Sequence, residues 1–92
     1  MVIGILPLFS NFAKTLFDSR STHSFISSRY AMLCDKKPGL MDYDLSMVTP
    51  MGDSLVCNSM VKSCVIQIKD REMLANLILM DMYDYDVILR MD

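Results

Sequence analysis

An all-β domain carrying one short helix is the fold class this sequence predicts, and three observations point there. Short runs rich in Val, Ile, Leu and Phe recur along the chain. Turn-forming clusters such as LFSN, DKKPG, MGDS and KDR separate them. Hydrophobic residues make up 52% of ninety-two residues, so the chain is built to bury a core, and it is long enough for a single small domain spanning 1–92.

The elements follow in order. Residues 2–6 read as a strand with β-branched Val2 and Ile3, broken at Pro7. LFSN is a turn, and 12–17 returns as a second strand, so 2–17 forms a hairpin. Residues 18–23 are a polar loop. In 24–34 the spacing of Phe25, Tyr30 and Leu33 predicts a helix, with Ser24 placed to cap it. DKKPG turns the chain at 35–39. Residues 43–50 alternate and stop at Pro50, and MGDS turns at 51–54. Two strands follow, 55–61 and 63–70, with Val61, Cys64, Ile66 and Ile68 facing inward. Residues 72–81 have helical composition but sit between a turn and another apolar run, which favours a strand. A buried strand is expected at 86–89. Strands this short and this regularly spaced predict a barrel or a sandwich.

Composition narrows the function. The net charge of −2 is split: residues 1–40 carry five basic and two acidic side chains (+3), and residues 41–92 carry four basic and nine acidic (−5). No basic block is dense enough to predict nucleic-acid binding. Cys34, Cys57 and Cys64 are odd in number and lack CxxC spacing, which argues against a disulfide framework and against structural zinc. With His23 the sole histidine, no metal or other cofactor is expected. The cysteine usage fits a reducing, cytoplasmic setting. MVIGILPLF lacks a basic start and is too short to span a membrane, so it reads as a buried strand, with no membrane partner. Ten methionines and no tryptophan suggest an adaptable core or contact surface.

The chemistry concentrates in LFDSRSTHSFIS, residues 16–27. Asp18, Ser19, Ser21 and His23 could suggest a nucleophile triad. Neighbours on one loop seldom converge, however, and no GxSxG elbow is present. Side-chain hydrogen bonding within a loop accounts for the same residues without catalysis.

The segment also resembles the active-site stretch of retropepsin-like aspartic proteases, in particular the domain of plant gypsy-type (LTR) retrotransposon gag-pol polyproteins. That family carries a hydrophobic pair, Asp-Ser-Gly or Asp-Thr-Gly, then Ser or Ala, Thr, His and Ser-Phe-Ile. GILPLF, YDLSMVTPMGDSLVCN and SCVIQIKDREMLANLILMDMYDYDVILRMD extend the resemblance over nearly the whole chain. It implies a retropepsin-like barrel, closed or partly open, and an aspartic endopeptidase that works as a homodimer on a peptide or polyprotein substrate. Asp18 would be the catalytic aspartate. Ser19 would bond across the dimer axis, Ser21 would steady the carboxylate, and Thr22 would support the loop. Thr49, Pro50, Met51, Gly52 and Asp53 would form a substrate-covering flap. Leu89 would close the barrel beneath the loop.

Three departures from the family pattern stand out. Arg20 replaces the glycine after Asp-Ser, and Arg90 replaces the glycine after VIL. The chain also stops at Asp92, where the family continues into a helix and a strand, so the fold is expected to be truncated at its C-terminus. Arginine brings bulk and a fixed charge beside a carboxylate that must exchange a proton. The sequence therefore predicts an inactive or nearly inactive copy, a pseudoenzyme. Two alternatives stay open: a non-catalytic interaction module, and a mobile-element fragment without function.

Overall fold

The computed structural model describes residues 2–48 and 54–91. The elements are β1 (Val2–Leu8), β2 (Asn11–Asp18), β3 (Ser24–Ser27), α1 (Ser28–Ala31), β4 (Gly39–Val48), β5 (Ser54–Ile68), β6 (Arg71–Met80) and β7 (Val87–Arg90). All seven strands belong to one mixed sheet in the order β1-β2-β7-β3-β6-β5-β4. The pairings β2·β7 and β3·β6 are parallel, and the others are antiparallel. The sheet curls until β1 packs against β5, yet β1 and β4 remain edges. Of the two expected forms of barrel, the partly open one is present.

Curling gives the sheet two unlike faces. Leu6, Ala13, Ile26, Tyr30, Val61, Ile66, Leu77, Val87 and Leu89 fill the main core. On the other face Phe25, Cys57 and Ile78 are buried beneath partly covered Met41, Leu45, Met47, Met60, Met80, Met82 and Ile88. Strand alternation sends neighbours to opposite faces, as Phe25 and Ile26 do, and Leu77 and Ile78. Residues 71–80 are a strand because only that geometry buries both Leu77 and Ile78 on different sides. Val61, Cys64, Ile66 and Ile68 face inward as expected.

Several boundaries differ from the sequence reading. The helix expected over 24–34 is a strand through Ser27, followed by four helical residues, and its N-cap is Ser27 rather than Ser24. Phe25 and Ile26 explain the change: a helix could not deliver adjacent residues to opposite cores, whereas a strand between β6 and β7 can. Ser27 Oγ accepts the Tyr30 N–H at 3.0 Å, and Tyr30 Oη donates to the Leu8 carbonyl at 2.7 Å. Burial, with Asp86 adding a smaller push, raises the Tyr30 hydroxyl above its ordinary pKa.

Pro7 does not end the first strand. It pairs with Phe12, one step beyond the Leu8–Asn11 pair that closes the hairpin. Alternation of the antiparallel ladder leaves that site without a bond to lose, and β1 is an edge. The DKKPG turn gives way at Gly39, where β4 begins, four residues before the expected start of that strand. The strands expected at 55–61 and 63–70 are one strand, β5, kinked where its register to β6 shifts between Val61 and Cys64. Ser63 there has φ 57°, and its N–H is taken by Asn76 Oδ1 at 2.9 Å. The expected flap residues Thr49 to Asp53 lie outside the described residues.

The β1–β2 turn is made by Phe9 and Ser10, both left-handed at φ 55° and 62°. Neither residue type favours that region. Asn11 Nδ2 bonds the Phe9 carbonyl at 3.1 Å, and the Phe9 ring lies 6.1 Å from the Tyr30 ring. Packing therefore pins Phe9, while Ser10 is held only by the turn. Ser10→Gly is expected to stabilise the chain by about 0.5–1 kcal/mol, since relief of left-handed strain exceeds the added chain entropy. Urea unfolding of the two proteins measures it, and an unchanged or lower midpoint would contradict the strain argument.

Candidate active site

Asp18 is the last residue of β2 and is half-buried. It sits where it does because β7 runs parallel beside β2, pairing Phe17 with Leu89 and Asp18 with Arg90. Leu89 is fully buried and Val87 nearly so, so β7 cannot slide without exposing both. The Asp18 carbonyl accepts the Ser21 N–H and the Met91 N–H, each at 3.3 Å. One oxygen thus closes the turn and ties it to the end of β7. The Asp18 carboxylate accepts the Arg20 N–H through Oδ1 at 2.9 Å, and Asp18 thereby organises its own loop.

Around this centre the remaining residues take definite places. Ser19 is exposed. The Ser21 hydroxyl donates to the His23 carbonyl, so its link to Asp18 runs through the backbone rather than the carboxylate. Thr22 Oγ1 lies 2.9 Å from His23 Nδ1, and the His23 ring stands 6.3 Å from the Phe25 ring. Among the described residues His23 is a partner within the loop and no part of a triad with Asp18. Arg90 is exposed, and its N–H donates to Ser24 Oγ at 3.0 Å.

Arg20 does not behave as its residue type suggests. It is absent from the left-handed region, so its backbone is one that any residue can adopt. Its side chain is exposed and makes no ion pair with Asp18 among the described residues. In the single chain the fixed charge of Arg20 therefore does not engage the Asp18 carboxylate directly.

Sheet register shows which way Asp18 faces. Cross-strand partners share a face, and residues two apart on a strand share it too. Leu16 pairs with Ile88, Ile88 with Phe25, Phe25 with Ile78 and Ile78 with Met60. Asp18 follows Leu16 by two, so it lies at the margin of the methionine-rich face. A cavity of about 240 Å³ opens on that side between β5 and β6, lined by Cys57, Asn58, Met80 and Asp81 among others. Asp18 is not part of its wall. Burial, with a smaller push from Asp81, raises the Cys57 thiol above its ordinary pKa.

Two supporting residues escaped the sequence reading. Ser24 reads there as a helix cap, and it holds Arg90 instead. Asp86, just before β7, ties together β2, β3 and α1. Its Oδ2 accepts the Lys14 N–H at 2.8 Å, its backbone bonds Lys14 and Ser27 at 2.8 Å each, and its Oδ1 pairs with Arg29 at 3.6 Å. The signal was available in the acid directly before the apolar run VIL, although a solvated loop explains such an acid equally well. Asp86→Ala leaves the Lys14 N–H without its charged acceptor and is expected to cost about 1.5–3 kcal/mol. Thermal unfolding measures it, and a loss below about 0.5 kcal/mol would place the anchor elsewhere.

Comparison with known proteins adds one finding. No curated protein matches the chain. A family model described as retroviral aspartyl protease matches residues 1–92. The match covers the Asp18 loop and the whole sheet that holds it, β7 included, and this chain belongs to the retroviral aspartyl protease family.

Proposed function

We propose that this chain derives from the aspartic endopeptidase that processes the polyprotein of a plant gypsy-type retrotransposon, with Asp18 as its catalytic carboxylate, and that Arg20 and Arg90 leave this copy inactive or nearly so. The observation that carries the reading is the hold on Asp18. Its main chain is tied to β7 through Met91, and its carboxylate is presented at the margin of an apolar face that could receive substrate side chains.

One chain supplies one such carboxylate, so the chemistry needs two copies meeting at their Asp18 loops. Two carboxylates in contact cannot both ionise, and they share one proton. The ionised member takes a proton from a water whose oxygen attacks the peptide carbonyl. The protonated member supports the forming oxyanion, and the tetrahedral intermediate collapses as the amine leaves with a proton. In this reading Ser19 bonds across the axis, Ser21 and Thr22 stiffen the loop, Leu89 supports it from below, and Thr49, Pro50, Met51, Gly52 and Asp53 cover the substrate.

Arg20 opposes this chemistry through charge rather than through backbone strain. Pairing two Asp18 residues brings two guanidinium groups to the same axis. They repel each other, and so oppose the approach of the two Asp18 loops. Arg90, in register with Asp18, adds a third and a fourth positive charge.

A second reading rests on a different observation. The open edge strand β1 exposes Val2, Ile3 and Ile5, which suits a module that pairs its edge with another chain. Self-association that persists in Asp18→Asn, without cleavage by any variant, would favour it.

Peptide-library cleavage at mildly acidic pH tests the proposal. The native chain is expected to cleave at least about tenfold more slowly than Arg20→Gly, because like charges brought to one axis oppose the pairing of the two loops by about 1.4 kcal/mol or more. Adding Asp18→Asn to Arg20→Gly should remove the cleavage. If only Arg20→Gly/Arg90→Gly cuts, Arg90 is the main obstacle. Cleavage by the native chain at the same measurable rate as Arg20→Gly would overturn the silencing, and cleavage surviving Asp18→Asn would overturn the catalytic assignment.

A further inference from the structure

A second open cavity of about 240 Å³ lies where the segment after α1 meets the kink of β5, with Cys34, Lys36, Ser63 and Cys64 in its wall. The two thiols differ in setting. Cys34 is half-buried and continues the last turn of α1, its N–H bonded to the Ala31 carbonyl at 3.1 Å. Cys64 is buried at 3% exposure, and its thiol donates to the Val61 carbonyl at 3.7 Å. Lys36 joins the two sides. Its N–H donates to Cys34 Sγ at 3.4 Å, and its Nζ donates to the Ser63 carbonyl at 3.4 Å.

These positions divide the labour. Cys34 Sγ accepts the Lys36 N–H and belongs to a half-buried residue in the wall of an open cavity, so a small solute reaches it before the buried Cys64. Cys64 lies behind it, where burial pushes its thiol up, the neighbouring Cys34 adds to the push and the Lys36 ammonium pulls back. Cys57 is on the opposite face of the sheet, in the methionine-rich cluster, and cannot share this cavity.

We propose that Cys34 and Cys64 are a reversible dithiol–disulfide pair, oxidised by hydroperoxides across this cavity. The Cys34 thiolate attacks the terminal oxygen of the hydroperoxide and the O–O bond breaks. This gives a sulfenic acid at Cys34 and an alkoxide that leaves as the alcohol, or as water when the oxidant is hydrogen peroxide. The Cys64 sulfur then attacks the sulfenic sulfur, the S–O bond breaks, and hydroxide leaves as water with the Cys64 proton. Two thiols and one hydroperoxide become one disulfide, one alcohol and one water. The bond ties the α1–β4 segment to the kink of β5. It fits a reducing setting, where such bonds are transient and report oxidation. The proposal is independent of any proteolytic activity.

Peptide mapping of the reduced full chain after treatment with equimolar hydrogen peroxide tests it. The expected product is a Cys34–Cys64 cross-linked peptide, a mass lower by two hydrogens, Cys57 as the only thiol still alkylated after unfolding, and full return on adding dithiothreitol. Cys57→Ser should form the same bond, and Cys34→Ser should not. Three alkylatable thiols after treatment, Cys34 advancing to sulfinic acid without a cross-link, or a disulfide formed mainly between chains would each overturn it. The decisive mapping uses the unmodified chain, so it does not depend on the folding of a variant.

Discussion

The insertion of β7 between β2 and β3 is the constraint on which the rest of the structure depends. It is a strand of four residues, yet it turns two hairpin-like halves into one sheet. Leu89 and Val87 are buried from both sides, and a fully buried aliphatic side chain of this kind contributes about 1.5–3 kcal/mol. The ends of the strand are fixed as firmly as its middle. Asp86 knots the entrance to β2, β3 and α1, while Arg90 and Met91 bond Ser24 and the Asp18 carbonyl at the exit. The loop 18–23 is therefore held at its base by covalently distant residues, which is how a short polar loop keeps one carboxylate in one place.

The two faces created by that sheet have different tasks. The main core is closed and aliphatic. The second face carries five methionines over a buried floor of Phe25, Cys57 and Ile78. Unbranched thioether side chains repack at low cost, which suits a surface that accepts differing partners. On the proposed reading, Asp18 stands at the margin of this face because a peptide would lie along it. The arginine beside Asp18 is tolerated by the single chain, whose backbone pays nothing for it. On the same proposal the conflict arises only when two copies approach, which leaves the monomer free to fold around a site that the proposal holds to be silenced.

Much of this was legible in the sequence, and the reasons differ by segment. The inward residues of β5 stood out because Cys64, Ile66 and Ile68 alternate beyond the kink, which resets the pattern after Val61. The Asp18 loop was found by the pattern of its residues, and LFDSRSTHSFIS led to the family to which the chain belongs. The stretch 24–34 misled because Phe25, Tyr30 and Leu33 keep helical spacing by coincidence. Phe25 belongs to a strand facing one core, and Tyr30 to a helical turn facing the other. Pro7 misled because a strand-breaking residue is harmless at an edge, and being an edge is a property of the sheet order. Asp86 and Ser24 were invisible as anchors because their partners, Lys14 and Arg90, are 72 and 66 residues away in the chain.

The claim that Asp18 works only as one of a pair is the centre of the account, and its most direct test is the concentration dependence of cleavage by Arg20→Gly. Specific activity, followed together with sedimentation equilibrium, should rise with protein concentration and track the fraction of dimer. Specific activity that stays constant into the range where only monomer sediments would contradict the account, since a single Asp18 would then suffice.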